Sequence, residues 1–132
     1  MQEIPVKTRA REEMVDITRE VASTVAESGV KDGVCHLNCL HTTAAITINE
    51  NADPDVKADL LMALRKVVQD GWPYAHAEGN SPAHVKSSLV GASLAIPISG
   101  GRLVLGTWQG IIFCEFDGPR SRRVTVTVVS TQ

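Results

Sequence analysis

From Ser93 onward the sequence changes character, and that change does most to limit what the chain can fold into. Ser93–Ile98, Arg102–Leu105, Ile111–Phe116 and Arg122–Val129 are short runs rich in apolar and β-branched residues, separated by glycine-bearing turns. Such runs read as strands. Two segments of helical pattern precede them. Ile17, Val21 and Val25 recur every fourth residue, with Asp16 placed to cap and Ser28-Gly29 to end the helix. Val56, Leu60, Leu64, Val67 and Val68 form a second stripe with Leu61 alongside, entered through Asp53-Pro54 and closed at Gly71. Glu3–Thr8, Val34–His41 and Ile46–Asn49 add strand character, Pro5 marking the first as an edge or an entry bend. Arg9–Glu13 and Lys31-Asp32-Gly33 read as turns, and Trp72–His84 as a polar loop. The pattern predicts an α+β fold in a single compact domain over residues 1–132, with a largely antiparallel sheet and two main helices.

The composition excludes several classes. A formal charge of −2 gives no electrostatic case for nucleic acid or an acidic membrane surface as partner. No apolar run approaches the about 20 residues that span a bilayer. The opening Met-Gln-Glu-Ile-Pro lacks the basic and apolar regions of a signal peptide, and three cysteines, an odd number, suit reduced thiols. The expected location is the cytoplasm. No Walker-type loop, dinucleotide fingerprint or nucleophile elbow is present.

Polar chemistry concentrates between His41 and Pro54. The segment starts at an imidazole, alternates apolar and small polar residues, and ends in Asn49, Glu50, Asn51 and Asp53. A strand that served only the core has no need of such an ending, although a solvated turn accounts for it too. Imidazole is the commonest metal ligand, and three nitrogens plus a water describe an open zinc site. His41, His76 and His84 could form that set if they gather in space; His36 alternates to the opposite strand face.

Glu50 and Glu115 could transfer protons or bind a hard metal, whereas a capping role before Pro54 accounts for Asp53. Glu115 lies between Cys114 and Phe116 in an apolar strand, so if it points inward its partner must be a cation or a metal. An unbroken strand from His41 to Asn49 would hold its ends roughly 27 Å apart at about 3.4 Å per residue. Either the Thr42-Thr43 region turns, or a neighbouring subunit completes the site.

Gly106-Thr107-Trp108-Gln109-Gly110 offers a flat apolar face and an amide between two flexible residues, or else a tight turn with an anchoring Trp. Ser99-Gly100-Gly101 reads as a hairpin turn sooner than as an anion cradle. Arg120, Arg122 and Arg123 could hold phosphate through their planar forks, but such clusters are usually solvated. Cys35 and Cys39 share a strand face and read as small buried hydrophobes.

Three stretches in order, His-Thr-Thr-Ala-Ala-Ile-Thr-Ile-Asn-Glu-Asn-Ala-Asp-Pro, then Pro-Ala-His-Val-Lys-Ser-Ser-Leu-Val-Gly, then Gly-Thr-Trp-Gln-Gly-Ile, resemble the YjbQ family over nearly the whole chain. The resemblance implies a small α+β protein that assembles as a homotrimer, with a weak, secondary thiamine-phosphate synthase activity, a transferase reaction. It implies a pocket near the subunit interface holding a metal or an anion. Carried onto this sequence, it expects His41, His76 and His84 to bind a divalent metal, zinc or magnesium, and Glu50, Glu115 and His84 to act in catalysis. Asn49, Trp108, Gln109, Arg120 and Arg122 are expected to contact a small phosphorylated metabolite. A non-catalytic module that binds a metabolite or an anion is the alternative. Ala77–Pro82 is shorter and less acidic than the resemblance leads one to expect.

Overall fold

The computed structural model describes residues 1–132 and contains two antiparallel sheets and three helices. The larger sheet has five strands in the order β1 (Gln2–Lys7), β8 (Ser121–Ser130), β3 (Gly33–Cys39), β5 (Ser93–Ser99) and β6 (Arg102–Leu103). The smaller has β2 (Glu13–Asp16), β7 (Gln109–Glu115) and β4 (Ala44–Glu50). Every pairing is antiparallel.

The two sheets enclose the main core. Cys35, Leu37 and Cys39 of β3 alternate inward with Ile96 and Ile98 of β5 and Val124 and Val126 of β8, as side chains on a strand must. Helix α1 (Thr18–Ser28) adds Val21 and Val25, its two buried residues. The Asp16 carboxylate accepts the Thr18 N–H at 2.9 Å, and Gly29 ends the helix in the left-handed region at φ 71°. The smaller sheet is covered on both faces. Ala44, Ile46, Ile111 and Phe113 face the main core, while Ala45, Ile112, Cys114 and Phe116 form a second cluster with Ala83. That double coverage explains the unbroken apolar run Ile111–Cys114, since a strand buried on both sides loses its alternation.

The third helix departs from the sequence expectation of two. Residues 81–84 belong to α3 (Ser81–Val90), not to the end of a loop. Its N-terminal signal, Pro82 in the first turn, was legible. Its apolar pattern was not, because two of its buried positions are Lys86 and Ser87 and two of its exposed ones Val85 and Leu89. Lys86 is buried against Glu12, its Nζ 2.8 Å from the carboxylate, and Arg65 meets the same carboxylate from α2 (Pro54–Val67) at 2.6 Å. Burial works against the charge of Glu12, but hydrogen bonds and the charges of Lys86 and Arg65 outweigh it and hold its pKa below the usual value.

Helix α2 begins as the sequence implies, with Asp53 accepting the Asp55 N–H at 2.9 Å and Pro54 in the first turn. It ends earlier than Gly71, at an extended Val68. None of its residues is buried; Leu61 and Leu64 only border the second cluster. Strand β2 was also unforeseen, since Met14 and Val15 pair with Cys114 and Phe113 before the helix starts. Ser99-Gly100-Gly101 is the hairpin turn expected, Ser99 pairing with Arg102 and both glycines having positive φ. No helix is long and apolar enough to cross a membrane.

Candidate functional site

Strand β3 ends at Cys39 and β4 begins at Ala44, so the chain bends at Thr42-Thr43. The bend places His41 beside the neighbouring strand β8, where its Nε2 accepts the Arg123 N–H at 2.9 Å. Across the gap stands α3, which contributes His84. The loop before α3 contributes His76, and the two rings meet edge to face with centroids 5.4 Å apart. The turn from β7 to β8 brings Asp117 and Arg120. Together these segments line an open cavity of about 420 Å³ that also touches Glu78, Asn80 and Arg122. Of the two alternatives the strand length left, the turn at Thr42-Thr43 is present, and the three imidazoles line one cavity, although Glu50 does not join them.

Beneath the cavity lies a buried ion pair. Glu115 is 0% exposed, and all its acceptor positions are occupied. Oε1 takes the Thr8 hydroxyl at 2.8 Å and Arg122 Nε at 2.8 Å; Oε2 takes the Asp117 N–H at 3.0 Å and Arg122 Nη2. Arg122 Nη2 also reaches Thr43 Oγ1 at 2.9 Å. Burial opposes the charge on Glu115, but these donors and the guanidinium prevail and keep its pKa below the ordinary carboxylate value. The partner foreseen for an inward Glu115 is therefore a cation, Arg122. Glu115 reaches the cavity only through that arginine, so a role in proton transfer, expected from the sequence, has no free lone pair to work with.

Arg122 is not the solvated residue its cluster suggested: its side chain is 5% exposed. Its Nη1 makes no hydrogen bond within the protein and is not among the sealed polar atoms, and Arg122 is part of the cavity wall. Arg120 is more exposed and holds Asp117, Nη2 to Oδ2 at 3.0 Å and Nε to the backbone carbonyl at 2.7 Å. Asn80 Nδ2 donates to the same carboxylate oxygen at 3.0 Å, which fixes the amide and leaves Asn80 Oδ1 buried without a partner. Burial pushes against the charge of Asp117, while Asn80 and Arg120 more than compensate and lower its pKa.

The geometry of His41 decides what it can bind. With Nε2 accepting a backbone N–H, the neutral ring carries its proton on Nδ1 and has a donor there, not a lone pair. Burial, followed by the Arg122 charge, lowers its pKa and favours that neutral form. The three histidines thus do not fit a three-nitrogen zinc site, and no three His, Cys, Asp or Glu side chains are placed to share one ion.

The remaining expected residues lie elsewhere. Because Ala44 pairs with Glu115 and Glu50 with Gln109, the segment Asn49, Glu50, Trp108 and Gln109 sits at the opposite end of the β4–β7 ladder. Six residues at about 3.4 Å put the two ends roughly 20 Å apart. Gln109 Oε1 accepts the Gly106 N–H at 2.8 Å, so its amide closes the local turn, and Trp108 is 63% exposed with no anchoring role. Sequence reasoning missed Asp117, Asn80, Thr43 and Thr8. Of these only Asp117 carried a signal, its place three residues before Arg120.

The chain matches the model of the family described as "UPF0047 protein YjbQ-like" over residues 2–131. It is 54% identical to a UPF0047 protein of Methanocaldococcus jannaschii, covering 94% of this chain and 90% of the relative. It is 55% identical to the UPF0047 protein YugU of Bacillus subtilis, covering 90% and 91%. Among solved structures, an uncharacterized YjbQ/UPF0047-family protein of Clostridium acetobutylicum superposes with TM-score 0.96 at 53% identity, covering 98% of this chain and all of the other. A protein of unknown function from Sulfolobus solfataricus gives 0.94 at 36% identity, covering 98% and 95%.

Proposed function

The chain belongs to the UPF0047 YjbQ-like family, and on that premise we propose that its cavity binds a small phosphorylated metabolite. The observation that supports this best is the convergence of three imidazoles and two guanidinium groups, from five separate segments, on one open cavity. Two donors stand ready for an oxyanion, His41 Nδ1–H and Arg122 Nη1–H, both held by bonds on their far sides. A donor fixed in advance loses little freedom when a ligand arrives, and charge-assisted bonds of this kind are the stronger ones.

Charge gives the reading a sharp test. With neutral imidazoles, Glu78, Asp117 and Glu115 outnumber Arg120 and Arg122 around the cavity. Replacing Glu78 with glutamine removes one of the three carboxylates, so anion affinity should rise in Glu78→Gln. Sulfate is the probe, because its own charge is fixed near neutral pH. Calorimetric titration should show saturable sulfate binding that strengthens in Glu78→Gln and weakens in His84→Ala and His76→Ala. No saturable binding, or binding indifferent to all three substitutions, would overturn the proposal.

In its enzymatic form the reading is a transferase of the thiamine-phosphate synthase type, joining a pyrimidine diphosphate to a thiazole phosphate. Arg120 and Arg122 would face the departing pyrophosphate, and His84 would handle the proton. In its binding form the cavity holds the metabolite without turnover. Product formation from those two substrates, lost in His84→Ala, separates the two. A homotrimer belongs to the same reading, with the uncovered α2 as a surface for a neighbouring copy; a monomer by light scattering would contradict it.

A further inference from the structure

Beside the charged cavity lies a second, of about 520 Å³, that shares His41, Thr42 and His84 with it. Its other walls are Ala44, Ser87, Ser88, Gly91 and Ala92. The contrast between the two chambers is one of chemistry. Apart from imidazoles, the first has four charged side chains in its lining and the second has none.

The Ser87 hydroxyl and several backbone groups of the second chamber are engaged by the protein itself, while the exposed Thr42 and Ser88 hydroxyls make no hydrogen bond within it. Ser87 Oγ donates to the Ala83 carbonyl at 2.8 Å. The Gly91 N–H donates to the Ser87 carbonyl at 2.9 Å, and the Gly91 carbonyl accepts the Ile46 N–H at 3.0 Å. The Ala92 carbonyl accepts the Cys39 N–H at 2.7 Å. A wall whose donors and acceptors are already paired behaves toward a ligand as an apolar one. A charged group placed there would give up water without a partner, which is costly. An uncharged group would lose only its contact with water, which is favourable.

We propose that the cleft is bipartite: the ligand is a phosphomonoester whose phosphate occupies the Arg122 chamber and whose uncharged organic body lies on the Ala44–Gly91–Ala92 wall. His41 and His84 stand at the junction, next to the bond between the two parts. The proposal rests on the anion-binding reading above and adds to it the class of the esterified group.

Three probes test it by calorimetric titration: inorganic phosphate, phenyl phosphate with an uncharged body, and 3-phosphoglycerate with a charged one. Phenyl phosphate should bind about tenfold more tightly than inorganic phosphate, the factor expected from hiding on the order of 55 Å² of apolar surface. 3-Phosphoglycerate should gain nothing over inorganic phosphate. Ser88→Phe, which fills the second chamber, should bring the ratio of phenyl phosphate to inorganic phosphate affinity back toward one, and Ala92→Leu from the opposite wall should do the same. Equal affinities for phenyl and inorganic phosphate in the unmodified protein, equal gains for the charged and uncharged esters, or a ratio untouched by both substitutions would each overturn the proposal while leaving the anion site standing. If no probe binds, the anion reading falls and this inference with it.

Discussion

The β4–β7 ladder has two ends, and they show how a polar strand terminus becomes a site or stays a turn. Each end has a glutamate, a glycine-bearing turn and amide or hydroxyl groups nearby. At the Ala44 end, β8, α3 and the loop before α3 close over the strand terminus, so Glu115 is sealed under Arg122 and the histidines collect above. At the Glu50 end only Asp16 arrives, to meet Asn51, while Trp108 stands in solvent and Gln109 bonds its own turn. Residue type is the same in kind. What differs is the number of other segments that arrive.

Exchanging each glutamate for alanine is the most direct way to break this comparison. Glu115→Ala leaves Arg122 buried without its partner and should cost about 3–5 kcal/mol, since an uncompensated buried charge is expensive. Glu50→Ala should stay within about 0.5 kcal/mol, the usual range for a surface change away from special features. Chemical denaturation of both variants checks the contrast, and comparable losses would mean that the two ends are equally structural.

Acid probes the same difference without mutation. The folded-state pKa values of Glu115, Asp117 and Glu12 all lie below their ordinary values. Such groups bind fewer protons when folded than when unfolded, so their stabilisation is complete above the usual carboxylate value, about 4 to 4.5, and fades as pH falls through the lowered ones. His41, also lowered, acts in the same sense beginning nearer pH 6.5, where the unfolded chain takes up its proton first. Unfolding midpoints should therefore drop from neutral pH downward, most steeply below about 4.5. Because the Glu115 charge raises the pKa of His41, the His41 titration followed by NMR should move further down in Glu115→Gln.

Much of the fold was written in local pattern. The four C-terminal strands, the Asp53-Pro54 helix start and the inward alternation of Cys35, Leu37 and Cys39 each follow from neighbours a few residues away. Helix α3 was hidden because two of its four buried residues are Lys86 and Ser87, and Glu12, the partner of Lys86, comes from a segment far away in the chain. The site divides along the same line. The imidazoles could be picked out by type, but nothing local says that Thr8 will meet Glu115, more than a hundred residues away, or that a backbone N–H will occupy His41 Nε2. The motif at Asn49 and Glu50 misled for the complementary reason: it is locally rich, and the segments that reach it, β7 and Asp16, bring no histidine or arginine.

A smaller loss is expected from Gly110→Ala, at the open end. Gly110 lies against the Asn51 side chain, with no room for a Cβ, and Asn51 Nδ2 donates to Asp16 Oδ2 at 3.2 Å. The added methyl group must displace Asn51 and weaken that bond, at a cost of about 1–3 kcal/mol. Sulfate affinity at the far cavity should not change, which calorimetry of the same variant checks. A change there would mean that the ladder couples its two ends.

The smallest effect belongs to Trp108→Ala, and it is also the most informative about assembly. A Trp that is 63% exposed hides little apolar surface, so within one chain its loss should change stability by no more than about 0.5 kcal/mol. An exposed indole between two glycines is nevertheless a surface that another chain could cover, and association stabilises a folded protomer in proportion to how much is bound. The melting temperature of the unmodified protein and of Trp108→Ala should therefore be followed against protein concentration. If the two curves coincide, the Glu50 end is open in solution, and the contrast between the ends is a property of the single chain. If the unmodified protein melts higher with concentration and the variant does not, a neighbouring copy closes the Glu50 end, and the two ends differ only in which chain supplies the cover.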